Sequence, residues 1–376
     1  MSSHALVGLV VLALVAFALG LGGLHPAAVV WRHLLFAVGV LPLILGAMLY
    51  FIPVLTRTAP AHGSVLWVPV VAAAMGVLTV VALALQPAVV PWLAAIVMLL
   101  ACIETIWIWH RRNQALGGAH PGLYWYLAAL LCLLLALTAV ALRAAVWDYA
   151  PLLRRFHLHL NLLGFLGLTA IGTLRVLLPT VLAVSDPAAS VYLRLMLSYA
   201  VIATLCIALG AAAWPPLSWL GGVIWLWPTL NIVSVVRYDR VRALGMQHAA
   251  AALAAAAVGW LLVLVAGLAH GVGFVSADTL VWLLLFLFLL PLVTGASSYL
   301  LPLWRWPGQA TERHAHMRAQ LMRLSGVRVL AFYLSAGLTL LQIEAAQLPA
   351  VIAVLSYLAQ VVYAFLPRAR DRAATS

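Results

Sequence analysis

The sequence predicts an all-α membrane protein with twelve transmembrane helices. Hydrophobic residues make up 66% of the 376-residue chain and charged residues 7%, and the mean hydropathy is +1.15. A water-soluble fold of this size has too little interior to hide so much apolar surface. Apolar stretches of about 18 to 27 residues, long enough to cross a bilayer as helices, recur along the chain. We expect one transmembrane domain over 1–376, with the lipid bilayer as its surroundings.

Twelve helices follow one another with short connections. We place them at 5–23, 33–55, 65–86, 88–109, 123–145, 157–183, 190–213, 217–236, 248–269, 277–303, 326–345 and 347–366. The first has no cationic segment before it and no small-residue cleavage site after it, so we interpret it as a retained helix and not as a signal peptide. The longest connection, 304–325, is predicted to be a basic loop, and no extramembrane domain is expected.

The arginines indicate the direction of each helix. The net charge of +12 comes from Arg, because the chain contains no Lys. Loops after odd-numbered helices contain Arg32, Arg154 and Arg155, with Arg143 at a helix end. The larger set, in loops after even-numbered helices and in the C-terminal tail, consists of Arg57, Arg111, Arg112, Arg237, Arg240, Arg242, Arg305, Arg313, Arg318, Arg323, Arg368, Arg370 and Arg372. This bias predicts cytoplasmic N and C termini in a bacterial inner membrane. Arginines spread over loops in this way indicate topology and not a nucleic-acid surface.

A short phrase occurs three times, near the end of helices two, six and ten. It reads Gly46-Ala-Met-Leu-Tyr50-Phe-Ile-Pro53, then Gly172-Thr-Leu-Arg-Val176-Leu-Leu-Pro179, then Gly295-Ala-Ser-Ser-Tyr299-Leu-Leu-Pro302. The final prolines are 126 and 123 residues apart, about a third of the chain. This period predicts three four-helix pseudo-repeats, at about 1–112, 123–242 and 243–376. Membrane proteins built from repeats place their sites where the repeats meet.

Histidines are the candidate ligands. Five are expected near the outer face, namely His25, His33, His157, His159 and His270. His33 and His159 occupy equivalent places, 20 residues before the final Pro of the phrase, and Trp282 stands there in the third repeat. Imidazole suits haem iron and copper, although a His at a helix end can equally be an interfacial residue bonded to water. His157 and His159 point about 200° apart on a regular helix, whereas His157 shares a face with Asn161.

The other polar residues are expected to have mainly structural roles. His62, His110, His120, His248, His314 and His316 fall on the cytoplasmic side and are expected to be solvated or interfacial. Glu104 and Arg175 are two charges within helices, and each needs a partner. We expect them to form a structural ion pair, with a proton-path carboxylate as the alternative. Cys102, Cys132 and Cys206 have no metal-ligand spacing and are expected to be packing residues.

The twelve-helix plan with a His on helix two resembles subunit I of the haem-copper oxidase superfamily. Helix two, from His33-Leu-Leu-Phe36 through Pro42, Gly46 and Tyr50 to Pro53, is similar to the oxidase helix that carries a low-spin haem His. Helix six, His157-Leu-His159-Leu-Asn161-Leu-Leu-Gly164, resembles the His-x-His-x-Asn-Leu-Leu-Gly phrase of oxidase-like relatives. The NnrS family, membrane haem and copper proteins linked to nitric oxide stress, shares this scale and plan.

The resemblance implies a cofactor without oxygen reduction. Oxidases of this plan use His on helices seven and ten for the binuclear centre, and those helices contain no His here. Their lysine proton channel has no counterpart in a chain without Lys. We therefore expect a protein that binds haem b, copper or both, with no catalytic residues and no oxidase activity. The resemblance implies His33, His157 and His159 as cofactor ligands, and the same three with His270 as metal ligands.

Two other functions remain open from the sequence. A secondary transporter would use the repeat interface as its pathway, with Glu104 and Arg175 coupling the transport. A cofactor-free protein would act as a partner subunit of a respiratory or metal-handling membrane complex. A haem Soret band or bound copper would distinguish the first hypothesis from these two.

Overall fold

The computed structural model describes residues 3–23, 27–145, 149–234, 236, 241–242, 245, 248–309 and 311–366. Within these ranges the chain is helical and contains no strand, which confirms the all-α prediction. The helices are α1 (Ser3–Leu21), α2 (Ala28–Thr56), α3 (Gly63–Leu85), α4 (Pro87–Asn113), α5 (Gly122–Ala145), α6 (Ala150–Val181), α7 (Ala189–Ala213), α8 (Pro215–Ser234), α9 (Ala249–Gly271), α10 (Ala277–Arg305), α11 (Glu312–Met322), α12 (Ser325–Leu340) and α13 (Leu348–Phe365).

The protein is a multi-pass membrane protein. Among the described residues, 11 helical stretches are long and apolar enough to cross a bilayer, with α11 and α12 counted as the single stretch Glu312–Leu340. The N-terminal helix α1 is a shorter apolar helix. The bounds follow the predicted spans closely at most ends. The exceptions are the starts of α2 and α6, at Ala28 and Ala150 and not at 33 and 157, and the end of α12, at Leu340 and not at 345. His33 and His157 therefore lie one to two turns inside their helices and not at the ends.

The three helices that contain the repeated phrase form the centre of the bundle. α2 packs between α1 and α3, α6 between α5 and α7, and α10 between α9 and α12. Their membrane-spanning windows are mostly buried, whereas those of α3 and α4 are mostly exposed on the outside of the bundle. Each phrase helix thus contacts a neighbouring helix on either side of it.

Each phrase helix is π-helical over one segment near its middle. The segments are Leu34–Val40 in α2, Leu160–Leu168 in α6 and Leu284–Leu289 in α10, at equivalent distances from the final Pro of the phrase. Pro42 and Pro291 follow two of them. Proline cannot donate to the carbonyl four residues earlier, and a wider turn relieves that clash. α6 has Leu168 at this place, so proline does not account for its segment.

Glycines on neighbouring helices make room for two of the widened turns. A Cβ atom at Gly76 of α3 would collide with the carbonyl group of Ala37, and one at Gly259 of α9 with that of Leu287. Both carbonyls belong to π-helical segments. A residue with a side chain would therefore push α3 from α2, or α9 from α10.

The basic connection before α12 differs from the predicted loop. Its residues 312–322 form helix α11, whose Met317, Leu321 and Met322 are buried against the bundle. His314 is 2% exposed and not solvated as predicted. Its Nδ1 accepts the Thr311 N–H at 3.0 Å, and its Nε2 donates to the Trp306 carbonyl at 2.8 Å, so it closes the start of α11 onto the end of α10.

Candidate functional site

Four histidines lie at the end of the bundle where α2 and α6 begin and α9 ends. His33 is on α2, His157 and His159 are on α6, and His270 is in the last turn of α9. All four are partly buried. His25, the fifth histidine predicted here, lies outside the described residues.

The four rings share one hydrogen-bond arrangement. Nδ1 donates to a backbone carbonyl in each: His33 to Val29 at 2.7 Å, His157 to Ala136 at 2.9 Å, His159 to Arg155 at 2.8 Å and His270 to Val275 at 2.7 Å. A carbonyl can only accept, so Nδ1 carries the hydrogen. In the neutral ring Nε2 then has a free lone pair, the form in which His binds a metal.

Histidines at the opposite end of the bundle have the reverse arrangement. Nδ1 of His120 accepts the Gly122 N–H at 3.1 Å, and Nδ1 of His248 accepts the Ala250 N–H at 3.2 Å. In their neutral forms the hydrogen is therefore on Nε2, and these rings cap helix starts. His120 and His248 thus use Nδ1 as an acceptor, whereas His33, His157, His159 and His270 use it as a donor.

Electrostatic influence relates the four rings two by two. A charge on His33 would act on His157, and a charge on His270 would act on His159, and we call these the two pairs. His157 bonds to a carbonyl of α5, whereas His159 bonds to a carbonyl of its own helix, α6. The Asn161 amide contacts His157 as predicted, chiefly through the His157 backbone carbonyl at 2.8 Å, while its distance to Nε2 is 3.5 Å.

Aromatic rings and one ion pair join α2 to α10 beside the histidines. Trp31 stacks on Trp282 with ring centroids 4.5 Å apart, and Trp282 stacks on Phe286 at 5.6 Å. Arg32 forms a salt bridge with Asp278. Trp282 stands 20 residues before the final Pro of its phrase, as His33 and His159 do, so this position of α10 contributes an aromatic ring where α2 and α6 have His.

Larger groups of possible metal ligands are absent among the described residues. No group of three or more His, Cys, Asp or Glu side chains in this part of the chain could hold a metal ion. Cys102, Cys132 and Cys206 are free thiols. Low-spin haem iron takes two axial ligands, often imidazoles, and imidazole also suits copper, so His from two helices is the residue type that either group would require.

The expected ion pair between Glu104 and Arg175 is not formed. Arg175 is bound by Asp186, in the connection after α6, and its guanidinium lies 4.8 Å from the centre of the Tyr192 ring. Glu104 is completely buried, and neither carboxyl oxygen has a hydrogen-bond partner. Asp186 is closer in sequence to Arg175 than Glu104 is, and it lies in the connection directly after the helix that contains Arg175.

The three repeated phrases meet around a cavity of ≈ 180 Å³. Its wall includes Tyr50 of the first phrase, Val176 of the second and Tyr299 of the third, which occupy the same place in the phrase, three residues before the final Pro. Tyr126 of α5 and Gly172 of α6 also line the cavity. Sequence reasoning found the phrase but not the cavity, which depends on how three distant segments pack.

Comparison of the sequence with protein-family models and with curated proteins found no match. The resemblance to oxidase subunit I and to the NnrS family therefore remains a hypothesis that depends on α2, α6 and α10. The hydrogen bonds of the histidines are independent of that resemblance.

Proposed function

We propose that this protein binds haem b, copper or both through the histidines of α2, α6 and α9. The supporting observation is that His33, His157, His159 and His270 all donate Nδ1–H to backbone carbonyls. Among the described residues, Nε2 of His33, His159 and His270 has no hydrogen-bond partner. This arrangement fixes the tautomer and orients the ring, as in known metal-binding histidines.

The residues around the histidines would position the cofactor. The Trp31–Trp282 stack and the Arg32–Asp278 salt bridge hold α2 against α10, which limits the movement of His33. The Asn161 contact limits the movement of His157. When bound, haem iron or copper would supply one-electron chemistry. The side chains of this chain would supply ligands and exclude water.

The cellular role follows only from the resemblance. An oxidase-like fold that lacks the histidines of the oxygen-reducing centre is suited to metal handling or to protection against nitric oxide. We place the protein in the bacterial inner membrane with both termini in the cytoplasm, as the arginine distribution indicates.

The test is an optical spectrum of the purified protein, oxidised and dithionite-reduced, together with metal analysis of the same sample. The cells should be supplied with haem and copper. We expect a Soret band or bound copper that decreases strongly in His33→Ala, His157→Ala, His159→Ala or His270→Ala. His62→Ala, at an exposed position in the connection after α2 and so at the other end of the bundle, is the matched control and should retain the signal. A colourless, metal-free wild type would refute the proposal.

The double variants identify the pair that binds the cofactor. One double variant replaces His33 and His157, and the other replaces His159 and His270. If a single pair holds the cofactor, only one of these double variants should lose the cofactor signal. An equal partial loss from every single variant would indicate two sites.

The transporter hypothesis retains one supporting observation, the buried and unpartnered Glu104. It loses its proposed coupling pair, because Arg175 is held by Asp186. No observation favours the cofactor-free partner subunit over these two.

A further inference from the structure

The cavity between the repeated phrases has the features of a ligand site separate from the histidines. It lies near the other end of α2, α6 and α10, where Tyr50, Val176 and Tyr299 face one another. Its remaining wall is mainly apolar, with Phe51, Val54, Leu55, Leu177, Leu300 and Leu303. Pockets with apolar walls and a few convergent polar groups are typical binding sites for small molecules.

Most hydroxyl groups around the cavity are already paired. Tyr126 and Thr173 share a hydrogen bond of 2.8 Å, and the Thr173 and Thr180 hydroxyls donate to the carbonyls of Thr169 and Val176. Tyr50 and Tyr299 differ, because neither hydroxyl has a hydrogen-bond partner among the described residues. Both residues line the same cavity. The cavity therefore has two neighbouring donors without an acceptor.

Each of the two tyrosine rings packs against another side chain. The Tyr50 ring makes an edge contact with Trp304, with centroids 5.7 Å apart, and the Arg318 guanidinium lies 4.2 Å from the centre of the Tyr299 ring. These contacts keep the rings from turning toward other acceptors. An incoming acceptor would meet two preorganised donors.

We infer that this cavity binds a small apolar molecule with carbonyl acceptors, of the quinone class, which enters from the bilayer. Tyr50 and Tyr299 would donate to its carbonyl oxygens, and the apolar wall would cover its ring. Water fills such a space poorly, because a bound water needs about two to four polar partners. The volume of ≈ 180 Å³ suits a substituted ring and is too small for a phospholipid.

The test is binding of dimethoxy-methyl-benzoquinone, a quinone head group without a tail, to the purified full-length protein, measured by isothermal titration calorimetry. We expect saturable binding with one site per chain. Tyr50→Phe and Tyr299→Phe keep the rings and should each weaken binding about 3- to 10-fold, the effect of one hydrogen bond. Val176→Phe should abolish binding by filling the cavity. Tyr199→Phe, on the exposed face of α7, is the matched control.

The outcomes are distinct from those of the histidine proposal. Loss of quinone binding in the tyrosine variants, with an unchanged spectrum and metal content, supports a separate site. Absence of saturable binding to the wild type, or equal binding by Tyr50→Phe, Tyr299→Phe and Tyr199→Phe, overturns the inference. If Val176→Phe cannot be purified, the two tyrosine variants still decide the question.

Discussion

Arg175 is bound by Asp186 and not by Glu104. The guanidinium is 2% exposed, one of its Nη atoms lies 3.2 Å from Asp186 Oδ1, and the other contacts Oδ2. Tyr192 covers the pair from α7. A buried charge pair therefore joins the connection after α6 to Arg175 in that helix. The carboxyl group of Glu104 on α4 has no hydrogen-bond partner.

Asp186→Asn should destabilise the protein strongly. Removing one charge of a buried pair leaves the other uncompensated, at a cost of about 3 to 5 kcal/mol. The measurement is thermal or denaturant unfolding of the purified protein in detergent. Asp278→Asn removes the exposed partner of Arg32 and should cost less than about 1 kcal/mol. Glu104→Gln should also have little effect, because no partner is lost. Equal losses in Asp186→Asn and Glu104→Gln would contradict this assignment.

Gly259→Ala should destabilise the contact between α9 and α10. The added methyl group would collide with the Leu287 carbonyl in a π-helical segment, and overpacking of this kind costs about 1 to 3 kcal/mol. Gly76→Ala should act similarly on α2 and α3. Gly337→Ala is the matched control, because no atom lies within 4 Å of its Cβ position. There the substitution should be neutral or slightly stabilising. A melting temperature of Gly259→Ala at or above that of Gly337→Ala would refute the packing argument.

Arg328→Lys should destabilise the contact between α12 and α13. Arg328 is 2% exposed and donates to Gln360 Oε1 at 2.7 Å and to the Leu321 carbonyl at 2.9 Å. It also lies 4.5 Å from the centre of the Tyr357 ring. A lysine cannot reproduce both directions of the guanidinium. We expect a loss of about 2 to 3 kcal/mol in unfolding experiments. The exposed Arg323→Lys should be neutral, and a neutral Arg328→Lys would contradict the proposed network.

Stability should fall in mild acid because of His120. Burial, and then the charge of Arg57, lowers the pKa of His120 below its ordinary value. The folded state therefore binds the proton less readily than the unfolded state, so the contribution to stability is present above about pH 6.5 and decreases as the pH falls through the lowered pKa. Protonation also removes the acceptor of the Gly122 N–H.

His120→Asn keeps a hydrogen-bond acceptor and does not titrate. Melting temperatures measured between about pH 7.5 and 5 should therefore fall less steeply for His120→Asn than for the wild type. His110→Asn is the control, because His110 is an exposed histidine at the same end of the bundle as His120. The prediction is wrong if the pH profiles of the wild type and His120→Asn are parallel.

Hydropathy predicted most of the fold because lipid requires every backbone polar group to be bonded within a helix. The positions of the helices followed from the length of each apolar stretch. The grouping of His33, His157, His159 and His270 at one end of the bundle also followed from the sequence, since helix direction alone places them there. Their pairing did not, because it depends on the rotation of each helix, which packing determines.

Three features left little trace in the sequence. Asp186 lies in the connection between α6 and α7 and precedes Pro187, and from there it contacts Arg175, which is 11 residues earlier in the chain. The cavity joins Tyr50 to Tyr299 across most of the chain. The π-helical segments change the spacing of the backbone hydrogen bonds and have no distinct composition. Pro42 and Pro291, which follow two of these segments, are the sequence features associated with them.

The widened turns also affect how these helices should be drawn. A π-helical segment holds more residues per turn than an α-helix, so it acts as an inserted residue that rotates one half of the helix by about 100° relative to the other. A helical wheel drawn at constant angle from His33 to Tyr50 would therefore assign one of them to the wrong side. Deleting one residue within Leu160–Leu168 would turn His157 and His159 away from their partners while the phrase at Gly172 kept its place.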